Sequence, residues 1–111
     1  MAPKDEDVYN DALKASGDEA LAKAFLKAFK ESSTLKTEPS LNEKQQLYGL
    51  FKQALQNPPF SEVKKPSVLQ PWESGKWNAW KKVVDDGITP TEAQKKYIEL
   101  VEELKAKYGT N

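Results

Sequence analysis

The stretch LYGLFKQA, residues 47–54, establishes the helical character of the chain. Its apolar side chains recur three and four positions apart, which is the spacing of one face of an α-helix. Tyr48 and Lys52 are four residues apart, so they lie on a common face beside that apolar stripe. The stretch therefore predicts an amphipathic helix that presents a hydroxyl and an ammonium group next to its packing face.

Helix start and stop signals divide the rest of the chain. In a capping box, a Ser or Thr hydroxyl and a Glu carboxylate three residues later each accept a hydrogen bond from a free backbone N–H. Three pairs fit this pattern: Ser16 with Glu19, Ser40 with Glu43, and Thr89 with Glu92. Gly87 and Gly109 are candidate stops. With the apolar faces, these signals predict four main helices near residues 17–33, 41–56, 72–85 and 90–108.

The pattern of these segments predicts an all-α fold. No segment alternates with the two-residue period of a strand, and four amphipathic helices are typical of a four-helix bundle. The Pro-rich segment 57–71 is long for a bundle connection, which allows the second and third main helices to run parallel. Val8, Ala12 and Leu13 share a face, so a short additional N-terminal helix near residues 5–14 is also allowed.

Composition excludes several kinds of chemistry. A chain of 111 residues suits one domain, and it contains no His and no Cys. A zinc site, a Ser-His-Asp triad, a thiol nucleophile and a disulfide are therefore not expected. The 17 basic residues are all Lys and are balanced by 17 acidic ones, which argues against binding of nucleic acid.

Targeting and membrane signals are also not expected. The N-terminus has no apolar run of the kind found in a signal peptide. No stretch approaches the roughly 20 apolar residues that a membrane span needs. The sequence therefore predicts a soluble, cytoplasmic protein without a membrane span.

Tyr and Lys residues on three of the predicted helices form the candidate site. Tyr48, Lys52, Lys76 and Tyr97 could converge on a ligand that is both aromatic and phosphorylated, because an ammonium suits a phosphate and a Tyr ring stacks on a base. The same residues also have a purely structural interpretation, in which the Lys side chains are solvated and the Tyr rings cap the core. Trp77 and Trp80 are expected in the core.

Three motifs resemble those of the acyl-CoA-binding protein family. They are residues 47–54, the sequence KWNAW at residues 76–80, and Tyr97-Ile98 leading into VEEL at residues 101–104. The resemblance covers about residues 20–109. It implies an up-down-down-up four-helix bundle with a long crossover between the second and third helices. We expect an N-terminal extension, residues 1–15, and an acyl-CoA-binding four-helix domain, residues 16–109.

The resemblance also implies roles for individual residues. Six residues match positions that contact the ligand in the family: Phe25, Ala28, Tyr48, Lys52, Lys76 and Tyr97. The two from the first main helix match positions that line the ligand site. The four later ones match positions that contact the adenine and the 3′-phosphate of coenzyme A.

The function implied by the resemblance is that of a carrier, not an enzyme. The protein is expected to bind long-chain acyl-CoA thioesters as a monomer, with the acyl chain in an apolar groove, and to deliver them to acyl-CoA-using enzymes. It needs no cofactor. One alternative is a helical protein-interaction module without a small ligand. A CoA-using enzyme is disfavoured because the chain lacks His, Cys and a recognisable nucleophile–base pair.

Overall fold

The computed structural model describes residues 4–67 and 70–110. Its α-helices are α1 (Asp5–Ser16), α2 (Glu19–Ser32), α3 (Leu41–Leu55), α4 (Pro71–Asp85) and α5 (Pro90–Tyr108). A short 3₁₀ turn, Phe60–Glu62, interrupts the crossover between α3 and α4. The four predicted main helices are confirmed as α2 to α5, and the short N-terminal helix is present as α1. Residues 1–3 of the predicted extension lie outside the described residues.

Two of the predicted capping boxes are confirmed, at the starts of α3 and α5. The Ser40 hydroxyl oxygen accepts from the Glu43 backbone N–H at 3.2 Å, and the Glu43 carboxylate accepts from the Ser40 N–H at 2.8 Å. Thr89 and Glu92 form the same reciprocal pair at 3.1 and 3.3 Å. The C-cap of α5 is Gly109, whose φ of 75° lies in the region that favours glycine.

The third predicted capping box, Ser16 with Glu19, is wrong. Helix α1 continues through Ser16, whose hydroxyl donates to the Ala12 carbonyl at 3.0 Å inside that helix. The N-cap of α2 is instead Asp18, whose carboxylate accepts from the Leu21 backbone N–H at 3.0 Å. Because the N-terminal helix ends only at Ser16, the nearest side-chain oxygen for the next helix is that of Asp18.

Helices α3 and α4 run parallel and touch through their backbones. A Cβ added to Gly49 would stand 2.7 Å from the carbonyl oxygen of Ala79, closer than such atoms approach in proteins. One turn earlier, the Gln45 side chain lies against Gly75. Moving along α3 by four residues therefore moves the contact along α4 by four residues. The glycine at position 49 permits this close approach, which fixes the register of the two helices.

The other helix pairs complete the predicted up-down-down-up order. Phe25 and Tyr97 are in ring contact, and Lys105 is ion-paired with Glu31 at 2.9 Å, so α2 and α5 point the same way. Helix α3 is antiparallel to α5, because its start bonds to the end of α5 and its end bonds near the start of α5. Among the described residues, no helix is long and apolar enough to cross a membrane.

Helix α1 is an integral part of the packed core. Val8 and Ala12 have no exposed surface, and both belong to the same cluster of buried side chains as the core residues of α2, α3 and α5. Gln94 is also fully buried, and its Nε2 donates to the carbonyls of Ala12 at 2.9 Å and Ala54 at 3.1 Å. This single amide joins α1, α3 and α5. Burial of a Val side chain stabilises by about 1.5–3 kcal/mol.

Candidate functional site

Three of the six predicted site residues lie together on the seam between α3 and α4. We call Tyr48, Lys52 and Lys76 the α3/α4 cluster. The Lys76 Nζ lies 4.8 Å from the centre of the Tyr48 ring and 5.9 Å from that of Trp72. The Lys52 Nζ lies 5.5 Å from the centre of the Trp80 ring. All three members of the cluster are half-buried, so their polar groups remain accessible.

The two ammonium groups of this cluster are not fully compensated by acidic neighbours. Burial, and then the like charge of Lys76, lower the pKa of Lys52, while the carboxylate of Asp11 opposes both effects. Glu73 approaches Lys76 only to 3.7 Å. Burial, followed by the charge of Glu73, raises the pKa of Tyr48, which keeps its hydroxyl protonated as a donor. An anion placed between the two Lys side chains would stabilise the charged form of Lys52.

A buried polar contact forms the floor beneath the cluster. Trp80 is only 2% exposed, and its Nε1 donates to the Oε1 of Gln53 at 3.1 Å. The Nε2 of Gln53 donates to the Ile88 carbonyl at 2.8 Å. The Phe60 ring, in the 3₁₀ turn, packs edge-on against Trp80, with the ring centres 5.1 Å apart. Sequence reasoning missed Gln53 and Phe60, although a Gln inside the apolar run of 47–54 was a usable signal.

The crossover brings a further Lys to the same side of the molecule. The Lys65 Nζ lies 5.8 Å from the centre of the Trp77 ring, and Phe60 packs against the same ring at 5.3 Å. Trp80 is in the core as predicted, whereas Trp77 is only half-buried. Within the described residues, the buried Nε1 of Trp77 has no hydrogen-bond partner.

The other three predicted site residues lie in the interior. We call Phe25, Ala28 and Tyr97 the α2/α5 cluster; their exposed fractions are 0%, 2% and 3%. The centres of the Phe25 and Tyr97 rings are 4.9 Å apart, and the Tyr97 hydroxyl donates to the Ser32 hydroxyl at 3.4 Å. Burial raises the pKa of Tyr97, and the bond to Ser32 partly offsets that rise. A ligand role for these three residues stays a prediction.

Phe51 connects the two clusters. Its ring lies 5.9 Å from that of Phe25 and 6.0 Å from that of Tyr97, and it is the residue before Lys52 in α3. Phe51 belongs to the apolar stripe that the spacing of residues 47–54 predicts. One turn of α3 therefore contributes an ammonium to the first cluster and an aromatic ring to the second.

A separate groove lies on the opposite side of the α3/α4 seam. It has a volume of about 540 Å³, and its lining includes Gln46, Leu50, Asn78 and Lys82. None of the six predicted site residues lines it.

Over residues 4–67 and 70–110, no group of His, Cys, Asp and Glu has an arrangement that could hold a metal ion. The α3/α4 cluster is a half-buried cationic and aromatic surface suited to an organic anion.

Comparison with known proteins gives a consistent result. A family model described as "Acyl CoA binding protein" matches residues 22–101. The chain is 43% identical over 76 residues to acyl-CoA-binding protein homolog 1 of Caenorhabditis elegans, covering 68% of this chain and 84% of the relative. It is 33% identical over 90 residues to the acyl-CoA-binding protein of Saccharomyces cerevisiae, covering 81% and 99% of the two chains.

A solved structure shares the fold. The crystal structure of Oryza sativa acyl-CoA-binding protein 2 superposes with a TM-score of 0.72 at 32% sequence identity. The superposition covers 82% of this chain and 95% of the other. Helix α1, at residues 5–16, precedes the segment matched by the family model.

Proposed function

The chain belongs to the acyl-CoA-binding protein family, and we propose that its α3/α4 cluster holds the coenzyme A headgroup of a long-chain acyl-CoA thioester. The family resemblance read from the three sequence motifs is confirmed. The protein is an acyl-CoA-binding carrier. The observation that carries the residue-level proposal is the meeting of Tyr48, Lys52 and Lys76 on one seam.

The headgroup chemistry follows from the charges of this cluster. Lys52 and Lys76 would neutralise the 3′-phosphate, and the Tyr48 hydroxyl would donate to it. Charge-assisted hydrogen bonds of this kind contribute about 1.5–3 kcal/mol each. The adenine would stack against aromatic rings, and Tyr97 is proposed as one of its contacts. Phe25 and Ala28 are proposed to line the same site.

The acyl chain requires an apolar surface close to the headgroup. Within residues 4–67 and 70–110, Leu41 and Trp72 are the large apolar side chains with high exposure, at 55% and 50% of their surfaces. The parallel register of α3 and α4 supports placing both at the same end of the seam, since each lies in the first turn of its helix. An acyl chain that covered them would gain about 0.8 kcal/mol for each buried methylene.

Several properties of the carrier belong to the same proposal. It performs no catalysis, acts as a cytoplasmic monomer, and transfers its thioester to acyl-CoA-using enzymes. It needs no cofactor besides its ligand. The domain division into an extension, residues 1–15, and a binding domain, residues 16–109, is also part of the proposal.

Isothermal titration calorimetry with three probes tests the ligand class. Palmitoyl-CoA presents headgroup and chain together, free coenzyme A presents the headgroup alone, and palmitate presents the chain alone. We expect palmitoyl-CoA to bind far more tightly than either fragment, because both surfaces then contribute. Equal affinity for palmitoyl-CoA and free coenzyme A would remove the apolar surface from the proposal. No binding of any probe would favour the protein-interaction module instead.

A further inference from the structure

The α2/α5 cluster presents almost no surface to a ligand. Phe25, Ala28 and Tyr97 are between 0% and 3% exposed, whereas the members of the α3/α4 cluster are half-buried. A side chain without accessible surface cannot contact an incoming nucleotide. If all six residues serve one ligand, as the proposed function holds, some part of the chain must first uncover half of the site.

The contacts of α1 place it beside the α2/α5 cluster. At its start, the Asp5 carboxylate lies 3.5 Å from the Nζ of Lys30, two residues beyond Ala28 in α2. Near its end, the Ala12 carbonyl accepts from Gln94, three residues before Tyr97 in α5. The intervening Val8 has no exposed surface and belongs to the same buried cluster as all three covered residues.

The second half of α1 also reaches the end of α3. The Asp11 carboxylate accepts from the Nδ2 of Asn57, just beyond the end of α3, at 3.0 Å. The same carboxylate acts electrostatically on Lys52. Helix α1 therefore runs from Lys30, past the buried core that holds the α2/α5 cluster, to Asn57 just beyond the end of α3.

The chemistry of α1 is similar to that of the ligand it would exclude. Asp5 offers its carboxylate to Lys30 as a phosphate would, and the charge of the Asp11 carboxylate raises the pKa of Lys52. Tyr9 adds an aromatic ring that packs against the covered core. Helix α1 thus brings two carboxylates and an aromatic ring close to the proposed site.

We propose that α1 is a built-in competitor that covers the Phe25, Ala28 and Tyr97 half of the acyl-CoA site and is displaced when the ligand binds. This inference rests on the proposed function. The free protein is then an equilibrium between a covered state and an open state, and the apparent dissociation constant is the intrinsic one divided by the open fraction. Any change that weakens α1 docking raises the open fraction and tightens binding.

Substitutions in α1 test this prediction in the full chain. Val8→Gly and Ala12→Gly each weaken helix α1 and its packing, and we expect each to tighten palmitoyl-CoA binding by about five-fold or more. Ala24→Gly is the matched control, because it weakens α2 at an exposed position. That control should not tighten binding.

A second variant, which changes only a charge, tests the same inference even if the glycine variants fail to fold. Asp11→Asn removes the carboxylate that accepts from Asn57 and raises the pKa of Lys52, while leaving the buried face of α1 intact. It should tighten palmitoyl-CoA binding by a smaller factor than the glycine variants. Unchanged or weaker binding by Asp11→Asn and by the folded glycine variants would overturn the inference.

Hydrogen–deuterium exchange supplies an independent measurement on the wild-type chain. Saturating palmitoyl-CoA should speed exchange of the α1 backbone amides while it slows exchange in α3 and α4. If the ligand binds and α1 becomes more protected, α1 is part of the site or of the scaffold, and the competitor proposal fails while the carrier proposal survives. If neither the wild type nor any α1 variant binds palmitoyl-CoA, both proposals fail.

Discussion

The α3/α4 cluster and the α2/α5 cluster differ in accessibility although the same family resemblance predicts both. Lys52 and Lys76 hold their charges at the surface, against the rings of Trp80 and Tyr48. Phe25 and Tyr97 are packed ring against ring in the buried core. A motif thus specifies which side chain is present, whereas a neighbouring element decides whether a ligand can reach it. Substitutions in the first cluster should change affinity alone, whereas substitutions in the second should also lower stability.

The largest expected effect concerns the buried cluster. Phe25→Ala should lower the free energy of unfolding by about 3–5 kcal/mol, because it removes a fully buried ring that contacts both Phe51 and Tyr97. Urea unfolding followed by circular dichroism measures the loss. The exposed position Ala24, changed to Ser, is the control on the same helix. A loss below about 1 kcal/mol would mean that this half is not packed as core.

Substitutions of two Trp residues test whether the α3/α4 cluster rests on buried core side chains. Trp80→Ala should lower the free energy of unfolding by about 3–5 kcal/mol and leave Gln53 without its indole partner. Trp77→Ala should cost less, since Trp77 is only half-buried. Thermal melts without ligand rank the two variants. Equal melting temperatures for Trp80→Ala and wild type, with lost affinity, would reassign Trp80 to the ligand surface.

Removal of charge from the accessible cluster should affect affinity without affecting stability. Lys52→Ala and Lys76→Ala should each weaken palmitoyl-CoA binding by about 1–3 kcal/mol. Burial and a like charge already disfavour the ammonium of Lys52, so its removal should leave the melting temperature nearly unchanged.

Lys95→Ala, at an exposed position on α5, is the matched control for calorimetry of these variants and should bind like wild type. Wild-type affinity of Lys52→Ala would refute the headgroup assignment. Loss of affinity in Lys95→Ala would indicate a diffuse charge effect instead.

The smallest expected effect concerns the contacts that hold α3 against α5. Glu43 accepts from the Tyr108 hydroxyl at 2.6 Å and from the Lys107 Nζ at 3.0 Å. The bonds from Tyr108, the Ser40 backbone and Lys107 lower the pKa of Glu43 to about 2 from 4.5. Because the folded pKa is the lower one, the stabilisation is complete above pH 4.5 and disappears as the pH falls towards 2.

Thermal melts of Glu43→Gln across this pH range measure that contribution. The melting temperature of the variant should lie below that of wild type at neutral pH, and the gap should close as the pH falls from 4.5 towards 2. Glu99→Gln, an exposed substitution on α5, controls for the loss of one carboxylate. A gap in the Glu43→Gln melts that stays constant through this range would contradict the assignment.

Local signals explain which parts of the fold were predictable. The capping boxes at Ser40 and Thr89 were predicted correctly because all the atoms that form each box lie within one helical turn of the sequence. The box at Ser16 failed because Ser16 and Asp18 compete for nearly the same position, and the length of α1 decides between them. The crossover was predictable because its prolines prevent a continuing helix.

Contacts between distant segments explain what the sequence could not give. The register of α3 and α4 depends on Gly49 meeting Ala79, and no local pattern contains both. Gln94 is a polar residue on a helix, so its complete burial depends on two carbonyls supplied by other helices. The burial of Phe25 likewise depends on Phe51 and Tyr97, which lie on two other helices.

All three tryptophans of the chain lie on one helix, α4, and this distribution makes the protein its own optical probe. Trp72 is exposed beside Lys76, whereas Trp80 is buried beneath Lys52. Intrinsic indole emission therefore reports on the α3/α4 side of the molecule, while α1, whose aromatic residue is Tyr9, contributes no indole signal. An emission titration would follow occupancy of the cationic surface without any label. A cysteine introduced at the exposed Asn10 would be the unique thiol of the chain, so a dye there would follow α1 separately.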